Sequence, residues 1–572
     1  MNYQAPLSDM KFILENVVDY NNLSSTNHFE DTSLEMTSAI LNEAAKLAEE
    51  VLSPLQRVGD LNPAVLENGV VRTSPGFSDG YKAVAEGGWI GVAANPKYGG
   101  MGLPLTIQTC VNEMMNGACL SLSLNPLMSQ GQIDALEHHA NDHIKSLYLP
   151  KLISGEWSGT MNLTEPQAGS DVGALTSKAN NNNDGSYSIS GQKIYISWGD
   201  SDFTNNVCHL VLARLPDSAP GTKGISLFIV PKFIPNHDGT LGQKNNLRVV
   251  SLEHKVGLHG SPTAVMEYDK AQGWLIGEES QGMKAMFTMM NNARLGVGGE
   301  GLGVAEAALQ KAVKFASQRT QGKSPTNQTG SIIDFADVRR MLLTMKSKTY
   351  AARAICLATA VAIDMSKAEH EKSWVSRAAL LTPIAKAFGT ETGIEVSNLG
   401  IQVHGGMGFI EETGAAQFWR DVRVTSIYEG TNGIQAIDLV SRKLMDGGQA
   451  AFELINEINH LCANVPNELI KLSSELKTAS DTLSDATSWM IMQKNLNERL
   501  AGATPYLESF ALVLGAFFHL KGAIADDKVQ SRVKLASFYI NHILPSVVSL
   551  CKSATAGSTD IYKLSAAELN IM

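Results

Sequence analysis

The spacing of apolar residues changes twice along this chain, and those two changes limit the folds open to it. From Ser33 to about Trp157 the spacing is helical, with Leu34 to Leu52 and Ile107 to Leu122 as clear helix candidates. Near Ser158 it gives way to short alternating runs. Tyr187 to Ile196, Val207 to Leu215, Gly224 to Val230 and Thr263 to Tyr268 read as strands separated by Gly, Pro and Asn. From Gly282 helical spacing returns in long Ala-, Leu- and Met-rich stretches: Gly303 to Arg319, Phe335 to Met365 and Val375 to Val403. Such stretches suit a helical bundle. A compact β domain of roughly 120 residues, an ordinary domain size, is thus expected between two helical regions.

A chain of 572 residues is too long for one hydrophobic core. The expected division is a leader from Met1 to Thr32, a helical domain from Ser33 to Trp157 and a β domain from Ser158 to Gln281. A helical bundle then runs from Gly282 to Gly447, and a further helical domain from Gly448 to Met572. Within the leader, Met10 to Val18 has helical spacing and Asn21 to Thr32 reads as polar loop. In the last segment Ala450 to Leu461, Leu472 to Leu483, Leu496 to Leu520 and Ser531 to Cys551 read as helices. The tract Asn180 to Gly185 reads as a hairpin turn. The net charge of −11 argues against nucleic-acid binding as the main activity, because phosphate binding needs clustered Lys and Arg. Six scattered cysteines with no CxxC pair suggest reduced thiols. No secretory signal and no run of about 18 apolar residues is visible, so a cytoplasmic protein without a membrane span is expected.

Four strings have the residue types that chemistry needs. Tyr428-Glu-Gly-Thr-Asn-Gly-Ile-Gln435 puts one carboxylate, Glu429, on a glycine-broken turn, where backbone can approach a ligand closely. A carboxylate there can take a proton from a carbon held against a flat cofactor, or simply be solvated. Met161-Asn-Leu-Thr-Glu-Pro-Gln-Ala-Gly-Ser-Asp171 supplies hydroxyls at Thr164 and Ser170 and bare backbone at Gly169. It fits a cofactor or phosphate rim, and equally a plain polar loop. In Lys193-Ile-Tyr-Ile-Ser-Trp-Gly199, Tyr195 and Ser197 share one face of a strand, which fits a planar ring or a surface strand. In Gln402-Val-His-Gly-Gly-Met-Gly408 the glycines either cap a helix or let backbone touch a cofactor. Other matches fail. Gly296-Val-Gly-Gly-Glu-Gly301 satisfies GxGxxG but follows a helical run, not a strand, and reads as a site of close helix packing. His139 and His143 lack the Glu of a zinc protease, since Ala140 follows His139, and no metal is expected.

Taken in order, these strings resemble the acyl-CoA dehydrogenases. The resemblance spans about Leu34 to Leu444. It includes Gly88-Trp-Ile-Gly91, Tyr98-Gly-Gly-Met-Gly-Leu-Pro104, Leu163 to Asp171, Glu253 to Thr263, Ala293-Arg-Leu-Gly-Val297, Gln402 to Phe409, Arg420-Asp-Val-Arg423 and Tyr428-Glu-Gly-Thr431. In register, this set is specific. The leader and the long C-terminal extension resemble a large-subunit branch that includes the 3-methylmercaptopropionyl-CoA dehydrogenases of sulfoniopropionate demethylation. The family fold implies a helical N-terminal domain, a middle β-barrel and a C-terminal four-helix bundle, here with an additional C-terminal helical domain.

The resemblance implies oxidation of an acyl-CoA to the 2,3-enoyl-CoA, with FAD as cofactor and an electron-transfer flavoprotein as acceptor. Glu429 is implied as the base that removes the α proton while hydride leaves the β carbon for flavin N5. Thr164 is implied at the flavin pyrimidine edge, Tyr195 stacked on the ring where many members have Trp, and Ser197 near N5 in place of a frequent Thr. Ser170 is placed near the CoA or the pyrophosphate, and Arg294 and Gly430 on the substrate side. Arg319, Gln402, Gly405 and Gly406 are implied to hold the FAD diphosphate and adenosine across a subunit interface, with Thr431 near the base. A homodimer or homotetramer follows. Two departures stand out: Arg319-Thr-Gln-Gly-Lys323 is one residue shorter than the usual string and lacks its Phe, and Gly433 replaces a frequent Gln. The first substrate expectation is 3-(methylthio)propionyl-CoA, followed by medium- or long-chain fatty acyl-CoAs. An acyl-CoA oxidase using O2 is the alternative. A DNA-binding relative is a remote one, because the chain from Met445 onward has 10 Lys and Arg against 13 Asp and Glu.

Overall fold

The computed structural model describes residues 3–326, 328–526 and 530–571. They form two compact units, one built on Ala39–Gly296 and the other on Pro6–Ser38 with Val297–Met572. The chain opens with α1 (Leu7–Asn16), α2 (Tyr20–Ser24), α3 (Leu34–Lys46), α4 (Leu55–Leu61), α5 (Phe77–Glu86), α6 (Leu105–His139) and α7 (Asp142–Ile153). The span Asn21 to Thr32, expected as loop, thus begins inside a short helix. A two-strand hairpin, β1 (Val65–Glu67) and β2 (Val70–Arg72), turns through Asn68 and Gly69. Both turn residues are left-handed, with φ of 52° and 76°, the conformation that Asn-Gly favours in a two-residue hairpin. In α6 nearly every side chain from Leu105 to Leu136 is buried, so the helix is apolar or buried-polar all round. Its regular dihedrals break at Cys119 (φ −157°, ψ 86°).

The strands of the first unit follow. They are β3 (Trp157–Asn162), β4 (Lys178–Asn181), β5 (Tyr187–Ser197), β6 (Asn206–Arg214), β7 (Ile225–Pro231), β8 (Phe233–Pro235), β9 (Leu241–Lys244), β10 (Leu247–Leu252) and β11 (Thr263–Ile276). The main sheet runs β10-β11-β5-β4-β6-β3, and β7 pairs with both β11 and β6. That double pairing closes β11, β5, β4, β6 and β7 into a barrel, with β10 and β3 paired outside the ring. Ile189, Ile196, Val211, Phe228, Val230 and Met266 fill its core. Strand β7 is buried at every position, which is why its sequence reads as one apolar run with no alternation.

The second unit is helical. Helix α8 (Gly282–Gln318) begins in the first unit and continues into the second. Then come α9 (Ala336–Ala368), α10 (Lys372–His404), α11 (Ala415–Val422), α12 (Asn432–Asp438), α13 (Gln449–Ala463) and α14 (Ile470–Met492). They are followed by α15 (Leu496–Ala501), α16 (Ala503–Ala525), α17 (Ser531–His542), α18 (Ser546–Ala554) and α19 (Ala566–Ile571). Two long C-terminal helices expected from sequence are each divided. Leu496 to Leu520 breaks at Gly502, where a side chain would lie 1.9 Å from the Ala554 carbonyl oxygen. Ser531 to Cys551 breaks before Pro545, which has no N–H to donate. Helix α16 is long and apolar enough to cross a membrane, but it is mostly buried and packs against α9, α14, α17 and α18.

Helices α8 and α10 cross backbone on backbone. A Cβ added at Gly301 would lie 2.3 Å from the Gly389 carbonyl oxygen, and one at Gly389 would lie 2.4 Å from that of Gly298. Gly393 is held as closely, 2.6 Å from the Gly301 oxygen. The GxGxxG string is therefore a packing seam, and it brings the Glu300 region of α8 against the middle of α10.

Candidate active site

In the first unit the structure builds one polar rim from two separate strings. The loop after β3 runs beside β5: the Ile194 N–H donates to the Thr164 carbonyl at 2.9 Å, and Lys193 Nζ donates to the Leu163 carbonyl at 2.9 Å. Glu165 is the rivet. Its carboxylate accepts from Lys193 Nζ, from the N–H and hydroxyl of Thr176 and of Ser177, and from Gln167 Nε2, at 2.6 to 3.1 Å. Burial pushes its pKa up, but the Lys193 charge and these donors overturn that and bring it down to about 2. This fixes the Thr164 side of the loop next to Tyr195 and Ser197.

Strand β5 is not a plain alternating strand there. Its register with β11 slips between Ala264 and Met266, and Tyr195 takes φ 61° in the resulting bulge. The bulge leaves the Tyr195 ring 61% exposed, a large aromatic face open to a planar partner. Ser197 and Thr164 are half-buried, and Ser170 is exposed. Trp198, also left-handed at φ 54°, turns inward and donates from Nε1 to the Ser121 carbonyl at 3.2 Å. Arg294, in the first-unit part of α8, is buried at 4% exposure.

In the second unit Glu429 and Gly430 are consecutive left-handed residues, with φ of 55° and 80°. A non-glycine residue held there costs about 1 kcal/mol, so the surroundings must enforce it. They do so from both sides. Buried Gln435 donates from Nε2 to the carbonyls of Glu429 at 3.3 Å and Gly430 at 3.1 Å. The Thr431 hydroxyl caps α12 by accepting from the Ile434 N–H at 3.2 Å. Asn432 accepts from Lys386 Nζ at 2.9 Å and donates to Glu391 at 2.7 Å, pinning the turn to α10. On the other side the Tyr428 hydroxyl donates to Glu300 of α8. Glu300, Lys386, Asn432 and Gln435 were not among the site residues read from sequence. Asn432 and Gln435 stand in the Glu429 string itself, whereas Glu300 lay within a motif read only as packing.

Arg319, Gln402, Gly405 and Gly406 gather elsewhere in that unit. Phe315 stacks on His404 with centroids 4.4 Å apart, so the ends of α8 and α10 meet, and all four residues are exposed around that contact. Gly405 has φ 59° and open space at the position of a Cβ, as does Gly406. Arg319, the residue after the end of α8, follows Glu300 by nineteen residues, about 28 Å at helical rise. One chain therefore does not bring this group to the Glu429 turn. Exposed Met407, Phe409 (87%) and Ile410 lie beside it. Among the described residues no three His, Cys, Asp or Glu side chains come together as metal ligands.

The order of helical, barrel and helical regions is matched by a class of known proteins, the acyl-CoA dehydrogenases. Sequence models of the acyl-CoA dehydrogenase N-terminal, middle and C-terminal domains match residues 35–156, 160–271 and 280–445, and one described as acetyl-CoA dehydrogenase C-terminal like matches 454–565. The chain is 41% identical to 3-methylmercaptopropionyl-CoA dehydrogenase of Ruegeria pomeroyi over 523 residues, covering 89% of this chain and 88% of that one. It is 32% identical to a butyryl-CoA dehydrogenase of Syntrophomonas wolfei, covering 98% of each. An acyl-CoA dehydrogenase of Bacillus anthracis solved with FAD has the same fold, with a TM-score of 0.76 at 20% identity over 100% of this chain and 94% of that one. The chain belongs to the acyl-CoA dehydrogenase family. It is an oxidoreductase of acyl-CoA, with FAD as its cofactor.

Proposed function

We propose that this enzyme dehydrogenates 3-(methylthio)propionyl-CoA to 3-(methylthio)acryloyl-CoA, with Glu429 as the base. The observation that carries the role of Glu429 is its left-handed turn, enforced by Gln435, Asn432 and Tyr428. An α C–H is barely acidic, so the base must be held in line with it and the thioester oxygen must receive hydrogen bonds as charge builds. The turn presents the carboxylate for the first task and the Glu429 backbone N–H for the second. Bound FAD supplies the acceptor for the hydride that leaves the β carbon.

The residues fit that cofactor. Tyr195 offers an open aromatic face and Thr164 and Ser197 offer hydroxyls at its edge, while Ser170 and Arg294 serve the CoA side. Gly405 and Gly406, with space above bare backbone, suit a diphosphate, with Gln402 and Arg319 beside them. Because that group lies far along α8 from Glu429, it serves the FAD of a second copy, and the exposed Met407, Phe409 and Ile410 suit a homodimer contact. Six free thiols fit a reducing, cytoplasmic setting, and an electron-transfer flavoprotein is the proposed acceptor.

The substrate reading is supported by the relative at 41% identity, against 32% for the butyryl-CoA enzyme. Anaerobic titration of the holoenzyme with 3-(methylthio)propionyl-, butyryl-, octanoyl- and palmitoyl-CoA tests it. The first should bleach the flavin at the lowest concentration. Bleaching by palmitoyl-CoA but not by the methylthio compound would replace it with a long-chain substrate.

A further inference from the structure

Beside the Glu429 turn the second unit holds another carboxylate. Glu300 of α8 is fully buried. One of its oxygens accepts from the Tyr428 hydroxyl, and the other, Oε1, has no hydrogen-bond partner among the described residues. Tyr428 precedes Glu429 in the chain, so this bond anchors the turn directly. The seam at Gly298, Gly301 and Gly389 leaves α8 no freedom to withdraw the group.

We propose that Glu300 is a positioning residue for the proton-abstraction step: through Tyr428 it fixes the turn that carries the base, and its own ionisation sets how strongly Glu429 attracts a proton. The inference rests on Glu429 being the base and adds a second titrating carboxyl to that site.

The charges facing Glu300 are few. Burial raises its pKa first and most; the Tyr428 hydrogen bond lowers it, the Glu429 charge raises it, and Lys386 on α10 lowers it, leaving it at about 8. Burial and the neighbouring carboxylates raise the Tyr428 phenol well above its usual range, so it does not titrate in the same window. A carboxyl held at about 8 keeps its proton at neutral pH, so Glu300 there adds no negative charge beside Glu429. Above pH 8 Glu300 ionises, and the new negative charge beside Glu429 makes Glu429 the stronger base. The proton lost by Glu300 goes to solvent, and no bond in the substrate is altered by it.

The test is the pH dependence of single-turnover flavin reduction at saturating 3-(methylthio)propionyl-CoA, for holoenzyme, Glu300→Gln and Glu429→Gln. Wild type should show one rise as Glu429 ionises and a second, of about threefold for a one-unit gain in base strength, near pH 8. Glu300→Gln keeps an acceptor for Tyr428 but cannot titrate, so in it the second rise should disappear while the first remains. Persistence of both rises in Glu300→Gln, or a uniform loss of rate at every pH, would overturn the proposal. Full flavin reduction by Glu429→Gln would instead remove the base assignment on which it rests. If Glu300→Gln fails to bind FAD, infrared spectra of wild type decide: a protonated carboxyl band present at pH 7 and gone by pH 10 supports the proposal, and its absence at pH 7 contradicts it.

Discussion

Glu165 shows how a single buried charge can be structural in a string that looks functional. It is ringed by six donors, and its ion pair with Lys193 is almost wholly out of water. Glu165→Gln leaves Lys193 buried without a counter-charge, a change that costs about 3 kcal/mol. We expect a lower thermal midpoint and weaker retention of FAD, read from the visible flavin absorbance after gel filtration, because Thr164 and Tyr195 lose their common anchor. At this scale the sequence offers strings as candidates and is silent about what holds them together. Thr164, Tyr195 and Ser197 could be picked out, but the period-two argument for Tyr195 assumed an unbroken strand. The bulge that exposes its ring depends on pairing with β11, which local spacing does not encode. Glu300 was hidden for a related reason: inside a glycine-rich helical run, nothing in the one-dimensional pattern marks which side chain faces Tyr428.

At the scale of elements, the crossing of α8 and α10 is the most constrained contact near the Glu429 turn. Gly389→Ala puts a methyl group 2.4 Å from a backbone oxygen, and backbone cannot swing aside as a side chain can. Overpacking of this kind costs about 2 to 3 kcal/mol and shifts the helices apart. Gly389→Ala should therefore lose both stability and dehydrogenation rate, because Glu300 and Lys386 fasten the Glu429 turn from these two helices. Gly406→Ala, with open space around it, should leave the thermal midpoint within about 1 °C. The long helices α9 and α10 were legible because their periodicity runs for many turns. The β1–β2 hairpin was missed although Asn68-Gly69 is a strong turn signal, since the strands flanking it are only three residues each and end on Glu67 and Arg72. The breaks at Gly502 and Pro545 were missed because helical spacing continues on either side of both.

At the scale of the whole molecule, the leader from Pro6 onward is part of the second unit and is fastened to its later helices. Asp9 of α1 bonds Lys346 at 2.6 Å and Arg532 at 3.2 Å and lies 3.5 Å from Arg353, which itself bonds Glu306 at 2.7 Å. The Arg532 guanidinium also lies 3.6 Å over the Phe12 ring. No sequence pattern announces a contact between positions 9 and 532. Burial raises the Asp9 pKa, but Lys346, Arg353 and Arg532 outweigh it and bring it down to about 2. A carboxylate with a depressed folded pKa stabilises fully above its unfolded value of about 3.8 and loses that contribution as pH falls toward 2. Asp9→Asn should thus lower the thermal midpoint at pH 7, by about 3 kcal/mol in stability, and the gap to wild type should close as the pH is taken below 4. A constant gap from pH 7 to pH 3 would show that the ion cluster is not its source. The account as a whole depends on Glu429, and anaerobic stopped-flow bleaching of the flavin by 3-(methylthio)propionyl-CoA tests it most directly. Glu429→Gln should bind FAD and the thioester as wild type does and reduce the flavin about 10²- to 10⁴-fold more slowly, the usual span for a lost general base. Bleaching at the wild-type rate would contradict the account.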